Sequence, residues 1–115
     1  MHEFAIASSV LQAVQTEVRL RPGMRVSKIG VRIGDLAGLD PDALRFCFQA
    51  LTKETDLESV VLVIERKPRR QRCSRCAHEF VVVNYETSCP ECGEGLTAFL
   101  SGDELDLAYL EMEDV

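Results

Sequence analysis

Cys73-Ser74-Arg75-Cys76, followed twelve residues later by Cys89-Pro90-Glu91-Cys92-Gly93, is the stretch on which the fold turns. Two Cys-x-x-Cys knuckles at this separation match the zinc-ribbon pattern. Two intervening residues let both sulfurs of a pair face one metal, the following backbone amides can donate to the thiolates, and Gly93 permits the turn. From Cys73 to Leu100 the chain is turn-rich and poor in core residues apart from Phe80, Val81, Val82 and Val83. A piece of about 40 residues or fewer needs a metal or disulfides to fold. Metal ligation supplies that free energy, on the order of 10 kcal/mol. The chain has five cysteines, an odd number with four in close pairs, which favours ligation over disulfides.

Four thiolates close a tetrahedral zinc site and leave no position for a substrate, so the site reads as structural. One Zn²⁺ and four thiolates carry a local charge of 2 − 4 = −2. Arg72 and Arg75 are placed to offset it. Iron held by the same four sulfurs, as in a rubredoxin-like electron carrier, stays open, because tetrahedral S₄ geometry suits both metals. His78, two residues past Cys76, is either an exposed histidine on a hairpin or a ligand that replaces a thiolate.

Outward from this loop the pattern is mixed helix and strand. Ile6, Val10, Leu11, Val14 and Val18 recur at steps of three and four, which predicts a helix over 3–18 that stops at Arg21-Pro22-Gly23. Val26–Ile33 alternates as a strand, with Ile29, Val31 and Ile33 against Lys28, Gly30 and Arg32. Gly34–Gly38 turns the chain. Asp40 before Pro41 is an N-cap with proline at the first helical position, which predicts a second helix over Pro41–Thr52 with Leu44, Cys47, Phe48 and Leu51 on one side. Cys47 reads as core. Ser59–Glu65 is a short β-branched strand that Pro68 ends, and Leu105, Leu107 and Tyr109 alternate in a last strand.

The 115 residues, 46% hydrophobic and 28% charged, suit one domain or two small ones and exclude fibres and wholesale disorder. The longest apolar runs, Val60–Ile64 and Phe80–Val83, are far short of the ~20 residues that cross a bilayer. The start Met1-His2-Glu3 lacks the basic opening of a secretory signal, so a cytoplasmic protein with no membrane partner is expected. Net charge is −6 and unevenly spread. Six bases lie within 65–75 (Arg66, Lys67, Arg69, Arg70, Arg72, Arg75) and six acids within 101–115 (Asp103, Glu104, Asp106, Glu111, Glu113, Asp114). A solvated linker and tail are one reading, and attraction between the two is the other.

His2 brings a second chemistry. The amine of Met1, the amide nitrogen of His2 and its imidazole lie within five- or six-membered chelate rings. Nitrogen-rich square-planar coordination selects Ni(II) or Cu(II). Histidine in second place is also too bulky for ordinary removal of Met1.

Met1-His2-Glu3 opening an amphipathic helix, with Cys73-x-x-Cys76 and Cys89-Pro-x-Cys92 in a late insertion, resembles the HypA family of nickel metallochaperones for hydrogenase maturation. The resemblance covers essentially the whole chain and agrees in element order. It implies an α+β fold in two parts: a nickel-binding domain of residues 1–66 and 101–115, a small sheet packed with two helices, and an inserted zinc ribbon of residues 67–100. It implies Ni(II) held at His2 with Glu3 nearby, Zn(II) at Cys73, Cys76, Cys89 and Cys92, and delivery to the nickel-iron hydrogenase large subunit together with the GTPase HypB. In some bacteria the family also serves urease, which implies urease accessory proteins as further partners. Asp40 approaches the nickel in this family besides capping its helix. Cys76-x-His78 is the pattern of members whose zinc site changes ligands with pH, although no histidine follows Cys92 here. The resemblance implies a carrier and adaptor that is not an enzyme.

A different class remains as the alternative, a zinc-ribbon nucleic-acid adaptor with Arg66 to Arg75 on phosphates. The net charge and the lack of interleaved aromatics count against it, so no nucleic-acid partner is expected. No nucleophile, acid pair or open metal position suggests catalysis.

Overall fold

The computed structural model describes residues 3–115; the expectations placed on Met1 and His2 lie outside the described residues. The chain runs α1 (Glu3–Arg19), β1 (Met24–Gly34), a 3₁₀ turn (Asp35–Ala37), α2 (Pro41–Thr52), β2 (Val61–Lys67), β3 (Arg70–Cys73), β4 (Glu79–Val81), β5 (Thr97–Ser101) and β6 (Leu105–Asp114). Two three-stranded sheets form, one ordered β2-β1-β6 and the other β4-β3-β5. The fold is α+β, with two helices, small sheets and a four-cysteine cluster.

Two compact units emerge. The first runs to Arg32 and takes in Leu39–Glu65 and Asp106–Val115; the second joins Ile33–Gly38 to Arg66–Leu105. In the first, α1 packs on α2. The expected stripe of α1 faces inward, with Val14 fully buried and Ile6, Val10, Leu11 and Val18 partly so. Ala7 is the other fully buried residue of the helix; it lies on the same stripe, one turn before Leu11, and its small side chain lets the core close over it. Leu44 and Phe48 of α2, Val31 of β1 and Leu62 of β2 meet it in the interior.

Helix α2 begins as its sequence dictates. Asp40 accepts from the Asp42 amide (2.9 Å) and Pro41 fills the first helical position. At the far end Lys53 donates back to the Gln49 carbonyl (3.1 Å). On β1, Val26, Ile29, Val31 and Ile33 are buried. Gly30, on the opposite side of the strand, is buried because the Tyr109 ring of β6 covers it; a Cβ there would lie 2.1 Å from Tyr109 Cε2.

The acidic tail finds different partners from those its charge suggested. Glu113 pairs with Arg25 (2.9 Å), Glu111 with Lys28 (3.2 Å) and Asp106 with Arg32 (3.3 Å). All three bases lie on β1, beside β6 in the sheet, so strand pairing brings them within reach. Bases of that stretch turn to Asp35 (Arg66, 3.5 Å) and to Glu79 (Arg70, 3.4 Å; Arg72, 2.5 Å). Among the described residues, no helix is long and apolar enough to cross a membrane.

Candidate metal centre

The second unit is built around its cysteines. Cys73 ends β3, and the strand pairs antiparallel with β4 and β5, Gln71 opposite Phe80 and Phe99, Cys73 opposite Thr97. Alternation puts Gln71 and Cys73 on one face, where both are buried together with Phe80 and Cys89. Val81 and Val83, grouped with Phe80 as core candidates by composition, are exposed. A four-residue apolar run on a strand cannot bury every side chain in a sheet covered on one face.

Each Cys-x-x-Cys pair is folded by the same backbone device. In the first knuckle the Cys73 amide donates to the His78 carbonyl (2.9 Å) and the Ala77 amide to the Cys73 carbonyl (3.1 Å). In the second the Cys89 amide donates to Glu94 (2.9 Å) and the Gly93 amide to Cys89 (2.9 Å). The fifth residue of each turn is left-handed, with φ 65° at Ala77 and φ 80° at Gly93. The second knuckle meets that demand with glycine, whereas the first strains an alanine. Ala77 could have been flagged in the sequence by aligning the two knuckles.

The turns bring four sulfurs together. Cys73 Sγ lies 3.5 Å from Cys92 Sγ and Cys76 Sγ 3.6 Å from Cys89 Sγ, and all four lie within 4.8 Å of one another. No disulfide joins them. A tetrahedron with metal–sulfur bonds of about 2.3 Å has edges of about 3.8 Å, so the donor set fits one Zn²⁺. The Arg75 and Cys76 amides donate to Cys73 Sγ (3.3 and 3.4 Å).

These contacts set the thiol acidities. The Cys76 amide, joined by that of Arg75 and by neighbouring thiols, holds Cys73 down to about 6 against the opposing effect of burial. At Cys92 the Glu94 amide favours the thiolate, but burial and the other three thiols push the group up to about 12. Cys76 is raised as well: the His78 amide favours its thiolate, and burial with the Cys89 and Cys73 thiols outweighs that help. Thiols packed this close resist ionising together, and a divalent cation among them removes the conflict.

The neighbouring side chains depart from the expected arrangement in part. Arg72 gives its guanidinium to Glu79 rather than to the sulfurs, because Glu79 faces it across the hairpin. His78 stacks on Phe80 (centroids 6.2 Å apart, interplanar angle 11°) with Nε2 3.9 Å from a Glu91 carboxylate oxygen, and the four-sulfur group does not include it. Gln71, buried and polar, donates to Thr97 Oγ1 (3.0 Å) and accepts from Arg69 Nε (3.2 Å), while Thr97 Oγ1 donates to the Thr87 carbonyl (2.7 Å). This brace between strands and the second knuckle had no sequence signal.

Of the residues tied to nickel, Glu3 and Asp40 are described. Glu3 is the first residue of α1, and its Oε2 accepts from the Asp40 backbone amide (3.2 Å). The Glu3 carboxylate therefore lies against the N-cap of α2, whose cap residue Asp40 is 37 positions away in sequence.

A family model described as hydrogenase/urease nickel incorporation, metallochaperone, hypA matches residues 1–112. The hydrogenase maturation factor HypA of Geobacter metallireducens is 43% identical over 98% of this chain and 100% of its own length. That of Chlorobium luteolum is 44% identical over 90% of this chain and 89% of its own. The solution structure of the Ni metallochaperone HypA from Helicobacter pylori superposes with a TM-score of 0.65, at 21% identity and covering 100% of both chains, a likeness of fold.

Proposed function

The chain belongs to the HypA family of metallochaperones for hydrogenase and urease nickel incorporation, and from that membership we propose that it carries Ni(II) at its N-terminus, through His2 with Glu3 beside it, for delivery to nickel-iron hydrogenase. Its partners on this reading are the GTPase HypB and the hydrogenase large subunit, with urease accessory proteins where a urease is present. The protein carries and presents its cargo and catalyses nothing.

The observation that carries the reading is the hydrogen bond from the Asp40 amide to Glu3 Oε2 (3.2 Å). It holds the first turn of α1, the turn that directly follows His2 in the chain, against the N-cap of α2. A carboxylate oxygen held at that turn is available to a divalent cation bound at the preceding residue. A site at the end of a chain also reorganises at low cost, which suits a cargo that must be released.

Cys73, Cys76, Cys89 and Cys92 would hold Zn(II), which when bound supplies charge neutralisation and folding free energy. The chain itself contributes the knuckle amides that donate to sulfur and the Gln71–Thr97 brace that keeps the strands in register.

Nickel titration of zinc-loaded protein with its native start tests the proposal. Wild type binds one Ni(II) and His2→Ala loses high-affinity binding, with zinc content and helical signal unchanged. Undiminished affinity in His2→Ala overturns the assignment. RNA or DNA binding with steep salt dependence, in protein that ignores nickel, would establish the adaptor reading instead.

A further inference from the structure

Between its two knuckles the second unit carries a feature that folding alone does not explain. Val83 and Glu86 form a bridge around a two-residue turn, closed by the Glu86 amide on the Val83 carbonyl (3.0 Å). Both central residues are left-handed, Asn84 at φ 52° and Tyr85 at φ 62°. Asn-Gly is the residue pair this turn prefers. Here the glycine position carries a tyrosine that is 93% exposed. A bulky ring held in strained backbone and packed against almost nothing is costly to keep for stability, and such strain belongs with function.

Tyr85 and Asn84 form one lip of a cleft of about 380 Å³, whose other walls come from Val82, Leu36, Arg66 and Arg69. Backbone contacts hold the walls in place. Val82 donates to the Arg69 carbonyl (2.9 Å), and Leu36 donates to the Gly102 carbonyl (2.8 Å). Gly102, at φ 121°, lies so close to Arg69 that a Cβ there would stand 2.6 Å from Arg69 Cα. The cleft holds two guanidiniums and one carboxylate. Arg66 meets Asp35 at 3.5 Å, while Arg69 donates to Gln71 and, among the described residues, pairs with no carboxylate.

We propose that this cleft docks an extended acidic segment of a partner protein, with a carboxylate on Arg69 and an apolar side chain against Leu36 and Val82 under the Tyr85 ring. Charge complementarity selects the occupant: a cleft with one more cation than anion attracts a short acidic stretch, and the net charge of −6 opposes a long polyanion such as a nucleic acid. Arginine and tyrosine are also the side chains that dominate binding energy at protein interfaces. The proposal stands independently of where nickel binds.

The test is titration of ¹⁵N-labelled, zinc-loaded full chain with acetyl-Asp-Leu-Glu-Phe-Asp-amide. Salt-sensitive amide shifts confined to 35–36, 66–69 and 82–86 are expected, and acetyl-Lys-Leu-Lys-Phe-Lys-amide should leave these amides unmoved. Tyr85→Gly separates binding from structure, since it relieves the turn. That variant should melt higher than wild type yet bind the acidic peptide at least about fivefold more weakly, and Arg69→Gln should weaken it similarly. No shifts at about 5 mM peptide, equal response to the basic peptide, a response to oligo-thymidine instead, or unchanged binding by Tyr85→Gly each overturns the proposal.

Discussion

The backbone amide of Asp40 donates to the carboxylate of Glu3, so a residue of α1 completes the N-cap of α2. In a capping box the glutamate three residues into the helix accepts from the N-cap amide. That position in α2 is Ala43, which offers no acceptor, and Glu3 supplies one from another helix. Glu3→Ala is expected to destabilise the chain by about 1 kcal/mol in urea unfolding. Glu3→Gln, which keeps an oxygen acceptor, should retain most of that stability. If the carboxylate also assists nickel, Glu3→Gln lowers Ni(II) affinity at nearly unchanged stability; equal losses of stability in both variants would contradict the capping role.

The two knuckles predict substitutions of opposite sign. Ala77→Gly removes a strained φ and should stabilise the zinc-loaded chain by about 0.5 kcal/mol, while Gly93→Ala introduces the strain and should cost about 1 kcal/mol. Thermal unfolding of both variants checks this. Shifts of the same sign would mean that the matching hydrogen bonds do not make the turns equivalent.

Gly30 and Tyr109 should behave as one unit. Gly30→Ala drives a methyl into the ring and is expected to cost about 2 kcal/mol. In a double-mutant cycle with Tyr109→Ala the two costs should fall short of additive by about 1 kcal/mol, because the ring is no longer there to be displaced. Strict additivity would show that the ring moves aside freely.

Glu79 supplies a pH dependence. The hydrogen bond from Arg72, then the charges of Arg72 and Arg70, hold its carboxyl below the ordinary range. A depressed carboxylate contributes stability that is fully present above its unfolded value of about 4.3 and is lost as pH falls through the lower folded value. The melting difference between wild type and Glu79→Gln should therefore be constant from about pH 7 to 5, shrink below about pH 4.3, and be reduced by salt, since the pair is partly exposed. A difference that grows as pH falls would reverse the sign of the argument.

Removal of the proposed zinc should act locally. With a chelator present, the amides of Cys73 and Cys89, which donate to His78 and Glu94, should exchange freely, while the interior amides of α1 and α2 stay protected. Unchanged protection at both cysteines would remove the metal from the account of folding.

Much of this molecule was legible along the chain. Asp40-Pro41 marked the start of α2, the three-and-four spacing from Ile6 to Val18 marked α1, and the spacing of Cys73, Cys76, Cys89 and Cys92 marked the metal site, because caps, amphipathic stripes and chelating pairs are made by residues close in sequence. The salt-bridge partners of the acidic tail were not legible. Charge identified two opposite segments, but the pairing of β6 with β1 decided which bases the acids reach.

The sequence by itself determined the α+β class, the order of helices and strands on either side of the cysteine loop, the family, and the four sulfurs able to close on one ion; the β4-β3-β5 sheet within that loop it left as turns. Only the tertiary structure decided that Glu3 caps a helix 37 residues away, that Tyr109 lies over Gly30, that Gln71 is braced by Thr97, and that Arg69, in a cleft beside Tyr85, pairs with no carboxylate among the described residues. Local chemistry is written in neighbouring residues; contacts across the fold depend on strand register and on which backbones approach closely enough to exclude a side chain, and a linear pattern does not encode these distances.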